Sequence, residues 1–343
     1  MSDDDRDIDV RLPRETSALF GHADAERALL DAYKGGRTPH AWLIGGPPGI
    51  GKATLAYRFA RFVLAHPDPR LPAVQKATLL AVDPEHPVAR RVAAQAEPGL
   101  RTLERAVNPD TNKLFTVIRV DELREVLGYF SMTGEPDTWR IAIVDTVDDL
   151  NASSANALLK VLEEPPERAL LLLISNAPGR ELLTIRSRCR RLLLRPLEQA
   201  DVVRATAAAA GRAPDEPEVT EAAAAAEGSV ARAIGLLDGS ALALRQRVLE
   251  LFAQLPDPDP RALHALGDAL GGSEPKTLAA FMDLVNGWLS ARLSPTRPTP
   301  QMARTAEVWD KVNRAARDVE TYNLERKPLV FAVFGLLAEA ARA

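Results

Sequence analysis

Gly45-Gly46-Pro47-Pro48-Gly49-Ile50-Gly51-Lys52-Ala53-Thr54 is the stretch on which the reading of the chain turns. It fits the pattern G-x-x-x-x-G-K-[S/T] through Gly46, Gly51 and Lys52, and departs from it only where Ala53 replaces a hydroxyl. Such a loop sets closely spaced backbone N–H groups and a helix N-terminus against an anion, with glycine wherever a side chain would block the approach. Lys52 is then the residue that reaches the terminal phosphates. A plain Gly/Pro turn would have the same composition, but the context argues against one. The apolar run Ala41–Ile44 leads in and the helical pattern ATLAYRFARFVLA leads out, the strand–loop–helix order a phosphate loop requires.

The second half of such a site comes from another strand. RIAIVDTVDDLN reads as a buried strand over Ile141–Val144 that ends in Asp145. Magnesium in these sites is held by the loop hydroxyl and by that aspartate. Ala53 has no hydroxyl. That of Thr54 is turned by about 100 degrees along the helix and is expected to point elsewhere. The carboxylate that activates water is expected directly after Asp145, where Thr146 stands instead. Asp148 and Asp149 are expected at the entrance of the following helix. Gly46, Gly49, Gly51, Lys52, Ala53, Thr54 and Asp145 thus compose a degenerate nucleotide site, able to hold phosphate and catalytically dead.

A chain of 343 residues calls for two or three domains. Aromatic residues make up only 5% of it, so the cores must be built mainly from Ala, Leu and Val. No apolar run reaches a membrane-spanning length, and the acidic start MSDDDRDIDV is unlike a secretory signal, so a cytoplasmic location without membrane contact is expected. Cys189 is the single cysteine and the five histidines are scattered, which excludes an internal disulfide and gives no metal site. The net charge of −4 argues against tight nucleic-acid binding by the chain as a whole.

Residues 1–15 read as a solvated acidic tail. A helix follows in AERALLDAYKGGR, and 67–109 reads as irregular. TVIRVDELREVLGYF ends as an amphipathic helix. NASSANALLKVLEEPP is a helix capped by Asn151 or Ser153 and stopped by Pro165-Pro166. ALLLLISNAP is another buried strand, leading into the basic segment TIRSRCRRLLLRPL. The alternation predicts an α/β fold, a parallel sheet with helices on its faces. From about Pro196 the segments are Ala-rich and helical. Longer helices run from about Ser240, punctuated by LPDPDPR and LSPTRPTP.

GPPGIGKA, IAIVDT, ANALLKVLEEPP and TIRSRC occur together in this order, with YNLERKPLVF near the C-terminus. In this combination the chain resembles the bacterial clamp-loader subunits of DNA polymerase III. The resemblance implies an AAA+ P-loop module over 16–195, a small helical lid domain over 196–239, and an all-α collar over 240–343 that assembles a ring. Within the family the gamma/tau subunits hydrolyse ATP and the delta-prime subunits do not; Ala53 and Thr146 favour the delta-prime branch. The lid reads GSVARA, with Ala231 where the family usually carries a nucleotide-sensing arginine and Arg232 one step later. Many relatives carry a four-cysteine zinc module after the loop helix. Residues 66–109 contain no cysteine, so no zinc is carried over.

By position in SRC, the resemblance makes Arg188 an arginine finger that projects across a subunit interface toward the neighbour's ATP. Most of the 43 basic residues are arginine, and Arg186, Arg190 and Arg191 can instead form a merely basic face with it. Cys189 reads as a small buried residue rather than a reactive thiol. Leu19-Phe20-Gly21-His22 either touches an adenine edge or staples a helix start. The helix with Trp309, Val312 and Tyr322 reads most simply as collar core, with part of its face available to pack against other ring members. The implied partners are gamma/tau and delta subunits in a hetero-pentameric ring, with the sliding clamp and primed DNA reached through the complex, as part of the DNA-directed DNA polymerase (nucleotidyltransferase) holoenzyme. No cofactor is required; ATP or ADP held without hydrolysis is compatible. Two alternatives stand beside this reading: a working gamma/tau-like ATPase using water and a shifted acid, and a DNA-binding adaptor.

Overall fold

The computed structural model describes residues 10–108, 113–115, 117–131, 138–177, 183–237, 239–271, 275–293, 299–322 and 324–342. The chain divides between Ile234 and Gly235 into two compact units, five residues ahead of the expected start of the C-terminal helices.

The first unit is built on a sheet. Helix α1 (Ala23–Lys34) precedes β1 (Ala41–Gly45), and α2 (Lys52–Ala65) follows the loop. Short helices α3 (Pro72–Lys76) and α4 (Pro87–Ala93) lead to β2 (Leu100–Glu104) and a small antiparallel pair, β3 (Val107–Asn108) and β4 (Lys113–Leu114). Next come α5 (Val120–Ser131), β5 (Arg140–Asp145), a 3-10 turn over Val147–Asp149, α6 (Ala152–Glu163) and β6 (Ala169–Ser175). Helix α7 (Leu183–Arg186), β7 (Arg190–Leu193), α8 (Gln199–Ala210), α9 (Pro217–Ala225) and α10 (Val230–Leu236) complete the order. Sheet order is β2-β5-β6-β1-β7, with every pairing parallel.

Side chains alternate across the three central strands. Trp42, Ile44, Ile141, Ile143, Leu170, Leu172 and Ile174 face one side and pack with α1 and α2 through Leu29, Tyr33, Leu55 and Phe59. Leu43, Ala142, Val144, Leu171 and Leu173 face the other and pack with α5 and α6 through Leu123, Phe130, Leu158 and Leu162. All seven residues of β6 are buried. That is why these strands are continuous apolar runs: a parallel sheet covered on both faces leaves no side for polar residues. Asn151 caps α6, its side chain accepting from the Ser154 N–H at 2.9 Å.

Residues 67–108 are not irregular: they hold α3, α4 and the edge strand β2. Two of their prolines, Pro72 and Pro87, sit at helix starts, where a missing N–H costs nothing. The basic segment after α7 likewise contains a strand, β7, whose side chains are mostly exposed and so carry no apolar run to betray it. Of the expected tail, 1–9 lie outside the described residues. Residues 10–15 are folded: Arg11 N–H donates to the Ala209 carbonyl, and Leu12–Thr16 form a turn.

A buried ion pair joins several of these pieces. Arg58 Nε lies 2.6 Å from Glu26 Oε1, and the same oxygen accepts from the Leu80 N–H at 2.8 Å. Arg58 also donates to the Ser17 carbonyl, and Arg61 to that of Thr16. The pair thus ties α1, α2, the 66–108 excursion and the N-terminal strap together.

The second unit consists of α11 (Gly239–Ala253), α12 (Pro260–Gly271), α13 (Pro275–Arg292), α14 (Thr299–Tyr322) and α15 (Arg326–Arg342). Leu266, Phe281, Val285, Val312, Val333 and Phe334 lie in its core. Val312 and Trp309 pack there as expected, whereas Tyr322 does not: it is 69% exposed at the end of α14. No described helix is long and apolar enough to cross a membrane.

Removing one partner of a buried pair strands the other charge, at roughly 3–5 kcal/mol. Glu26→Ala is therefore expected to lower the unfolding free energy of the first unit by about that amount. Asp121→Ala, which removes the exposed partner of Arg124, should change it by less than ~0.5 kcal/mol. Chemical denaturation of the two variants checks both; equal effects would contradict the analysis.

Candidate nucleotide site and the arginine at the opposite end of the sheet

The loop from Gly45 to Lys52 leaves the C-terminal end of β1 and enters α2, as its composition predicts. Gly46, Gly49 and Gly51 have φ of 153, 76 and 98 degrees, conformations that L side chains rarely adopt. Gly46 also admits close backbone approach, since a Cβ there would lie 2.7 Å from the Leu194 carbonyl oxygen. His22, the N-cap of α1, braces the loop through Nε2, which donates to the Ile50 carbonyl at 2.7 Å. Burial lowers its pKa, while the hydrogen bond to the Ile50 carbonyl pulls the other way.

Lys52 is 4% exposed and folds back on its own loop. Its Nζ donates to the Gly46 carbonyl at 2.8 Å and to the Pro47 carbonyl at 2.5 Å. Burial lowers its pKa to about 8, opposed by the charges of Asp145 and Asp148. Burial likewise raises the pKa of Asp145, against the pull of Lys52. These two groups are the charged residues of the site's floor.

A cavity of about 320 Å³ lies beside the loop, within the range of small-ligand sites. Gly49–Thr54, Asp145 and Asn176 form its polar end; Val10, Leu12 and Pro13 of the strap, with Leu19 and Phe20, form an apolar wall beside Arg11; Ala205, Ala209, Val230, Ala231 and Ile234 close it. Leu19 and Phe20 therefore border the cavity, in keeping with the first of their two readings. Thr54, expected to turn away, borders it too, as does Ala53.

The carboxylates that follow Asp145 are engaged elsewhere. Asp148 accepts from the Ser175 hydroxyl at 3.0 Å and from the Asn176 N–H. Asp149 accepts from the Thr146 hydroxyl at 3.3 Å and pairs with Arg105 at 3.2 Å. Thr146 itself is buried. Arg232 pairs with Glu227 at 2.8 Å and does not border the cavity, whereas Ala231 does.

The segment Ser229–Ala231, within the stretch expected to be a lid, rests on the loop. Ala231 N–H donates to the Gly49 carbonyl at 3.2 Å, and the Ser229 hydroxyl donates to the Pro48 carbonyl at 3.1 Å. A Cβ on Gly49 would fall 2.3 Å from Ser229 Oγ and 2.7 Å from Ala231 Cβ. Gly49 thus serves the lid as well as the loop's shape. This role, the brace from His22 and the strap wall escape sequence reasoning, because each joins residues far apart along the chain.

Arg188 lies in the link between α7 and β7, on a different part of the molecule. Residue Trp42 at the start of β1 pairs with Arg190, and Gly45 at its end pairs with Leu193. Arg188 therefore precedes the sheet end at which β1 begins, and the phosphate loop follows the end at which β1 stops. The three steps from Trp42 to Gly45 alone span about 10 Å at ~3.3 Å each. Arg188 does not border the cavity. Its side chain is 36% exposed, and Arg190 and Arg191 beside it are exposed as well. Cys189 packs against the second core cluster, where burial raises its pKa to about 12. Burial thus favours the protonated thiol over the nucleophilic thiolate.

A family model described as DNA polymerase III, delta subunit, matches residues 21–198. The chain is 35% identical over 159 residues to the DNA polymerase III subunit delta' of Pseudomonas aeruginosa, covering 45% of this chain and 43% of that protein. It is 29% identical over 173 residues to the delta' subunit of Escherichia coli (49% and 46% covered). Against the tau/gamma subunit of Haemophilus influenzae it is 26% identical over 288 residues, 80% and 39% covered. The match thus spans less than half the length of each of these relatives. Among solved structures, a gamma subunit-related protein from Thermotoga maritima aligns with a TM-score of 0.50 at 16% identity, covering 92% of this chain and 100% of that one, a likeness of fold. With its phosphate loop and five-stranded parallel order, the fold is that of an AAA+ module, and the chain belongs to the delta-prime family of DNA polymerase III clamp-loader proteins.

Proposed function

We propose that this chain acts as a delta-prime clamp-loader subunit: it hydrolyses no ATP of its own and donates Arg188 to the ATP site of a neighbouring subunit. In this reading 196–239 serves as the lid. The C-terminal helical unit is the collar of a hetero-pentameric ring with gamma/tau and delta subunits. The ring loads a sliding clamp onto primed DNA in the cytoplasm. The observation that carries the reading is the placement of Arg188 at the sheet end opposite its own phosphate loop. From there it cannot reach a nucleotide in its own cavity, but it is open to a docking partner. A guanidinium suits this task because it is permanently charged, planar and forked.

The cavity's residues fit a nucleotide in part. Loop N–H groups and Lys52 suit phosphate, and the apolar strap wall suits a base. The donor set for magnesium is short: Asp145 is present, Ala53 offers no oxygen, and Asp148 and Asp149 are occupied by other partners. The residue directly after Asp145, Thr146, cannot take a proton from water. Bound ATP or ADP would in this reading be structural. The single cysteine and the five scattered histidines give no zinc-ligand set, so no zinc is required.

Three outcomes follow. The isolated chain should turn over no ATP above background with magnesium present. A rate near ~1 per second, ordinary for an enzyme, that vanished in Lys52→Ala would instead support the gamma/tau-like ATPase. Any nucleotide binding should weaken as pH rises through about 8, the pKa to which burial lowers Lys52. Below that value the ammonium is charged and attracts phosphate; above it the amine is neutral. Titration of a fluorescent ATP analogue at pH 7 and pH 9 checks this, and equal affinities would contradict it. In the assembled complex, Arg188→Ala should lower ATP turnover only partly, since other sites keep their own fingers, although a finger contributes about 10³–10⁵-fold at its own site. Arg188→Lys should not restore it, and Arg186→Ala and Arg190→Ala should have little effect. Equal losses in all three alanine variants, mimicked by added salt, would point to a diffuse basic surface.

A further inference from the structure

The guanidinium of Arg188 is held by its own chain. Its Nη2 lies 2.8 Å from Glu163 Oε1. Its Nη1 donates to the Thr184 carbonyl at 3.0 Å and to the Ser187 hydroxyl at 3.2 Å. Glu163 is the last residue of α6. A carboxylate there sits at the negative pole of the helix, where it is disfavoured without a cation, and Arg188 supplies that cation. Both ends of the pair stand on packed elements. Leu158 and Leu162 of α6 and Ile185 of α7 share one buried cluster, with Cys189 packed against it. The carboxylate is thus fixed relative to the link that carries Arg188.

Both side chains are partly exposed, 36% for Arg188 and 51% for Glu163, and such a pair contributes little to folding. Its consequence is orientation. An unrestrained arginine spreads over many rotamers and must give them up on binding. Three contacts that already define the side chain remove most of that loss, and the exposed remainder of the guanidinium stays open to a phosphate oxygen.

We propose that Glu163 is a positioning residue for Arg188, fixing the guanidinium at the subunit edge before a neighbour docks. This rests on the reading of Arg188 as a group that acts in trans. Glu163 touches no substrate; it acts only through Arg188.

The test uses the full chain assembled with its ATP-hydrolysing partner subunits, comparing wild type with Glu163→Gln, Glu163→Asp, Arg188→Ala and the Glu163→Gln/Arg188→Ala double variant. Glutamine keeps the size of the side chain and removes its charge. The part of kcat that Arg188→Ala abolishes should fall roughly 3- to 10-fold in Glu163→Gln, the scale set by restoring arginine rotamer freedom, with KM nearly unchanged. Glu163→Asp should recover most of that loss. Glu163→Gln should cost nothing further once Arg188 is alanine, and the thermal unfolding midpoint should not move. If Arg188→Ala lowers turnover and Glu163→Gln equals or exceeds wild type, the positioning role is overturned and the trans reading survives. If Glu163→Gln lowers turnover equally with and without Arg188, its effect is structural and the proposal is likewise overturned. If Arg188→Ala itself changes nothing, it is the trans reading that fails.

Discussion

Everything functional in the first unit depends on a parallel sheet buried on both faces. Because β1 runs through its interior between β6 and β7, its two ends are distinct places. The phosphate loop, Asp145 and Asn176 gather where the strands stop, where open parallel sheets place their ligand crevices. Arg188 precedes β7 at the end where the strands start. The pairing register fixes this separation, and a rigid double-faced core maintains it. One chain therefore presents a cavity beside its phosphate loop at one end of the sheet and the exposed guanidinium of Arg188 at the other.

At the cavity, the loop keeps the shape that a phosphate loop requires. The glycines keep their left-handed conformations and Lys52 is in place, yet its ammonium is satisfied by loop carbonyls. The lid meets the loop through small groups, Ser229 and Ala231, drawn close by the absence of a side chain at Gly49. A longer residue at 231 would stand where Ala231 now lies against the loop. The two later carboxylates are tied to Ser175, Asn176, Thr146 and Arg105. Among the described residues, these contacts hold the cavity's rim in its form.

The strands of the sheet's interior were legible in the sequence because their burial on both faces demands unbroken apolar runs, as in Ile141–Val144 and ALLLLIS. The edges were not: β2 alternates buried and exposed residues inside a proline-rich stretch, and β7 is largely arginine and exposed leucine. The residues of the loop end of the cavity were legible because they follow one another along the chain or end a readable strand. Glu163, His22, Ser229 and the Val10–Thr16 strap were not, since their roles arise only when distant segments meet. Tyr322 shows the converse: a helical apolar pattern predicted burial, and the helix ends before delivering it.

The central claim is that this chain supplies a group to another subunit's site and none to its own. It is tested most directly by comparing Lys52→Ala and Arg188→Ala in the assembled complex under single-turnover conditions, resolving the ATP consumed at each site. The account predicts that Lys52→Ala leaves every hydrolytic phase intact, whereas Arg188→Ala removes one phase and no other. Loss of a phase in Lys52→Ala, with Arg188→Ala unchanged, would show that the loop hydrolyses ATP in cis and would contradict the account.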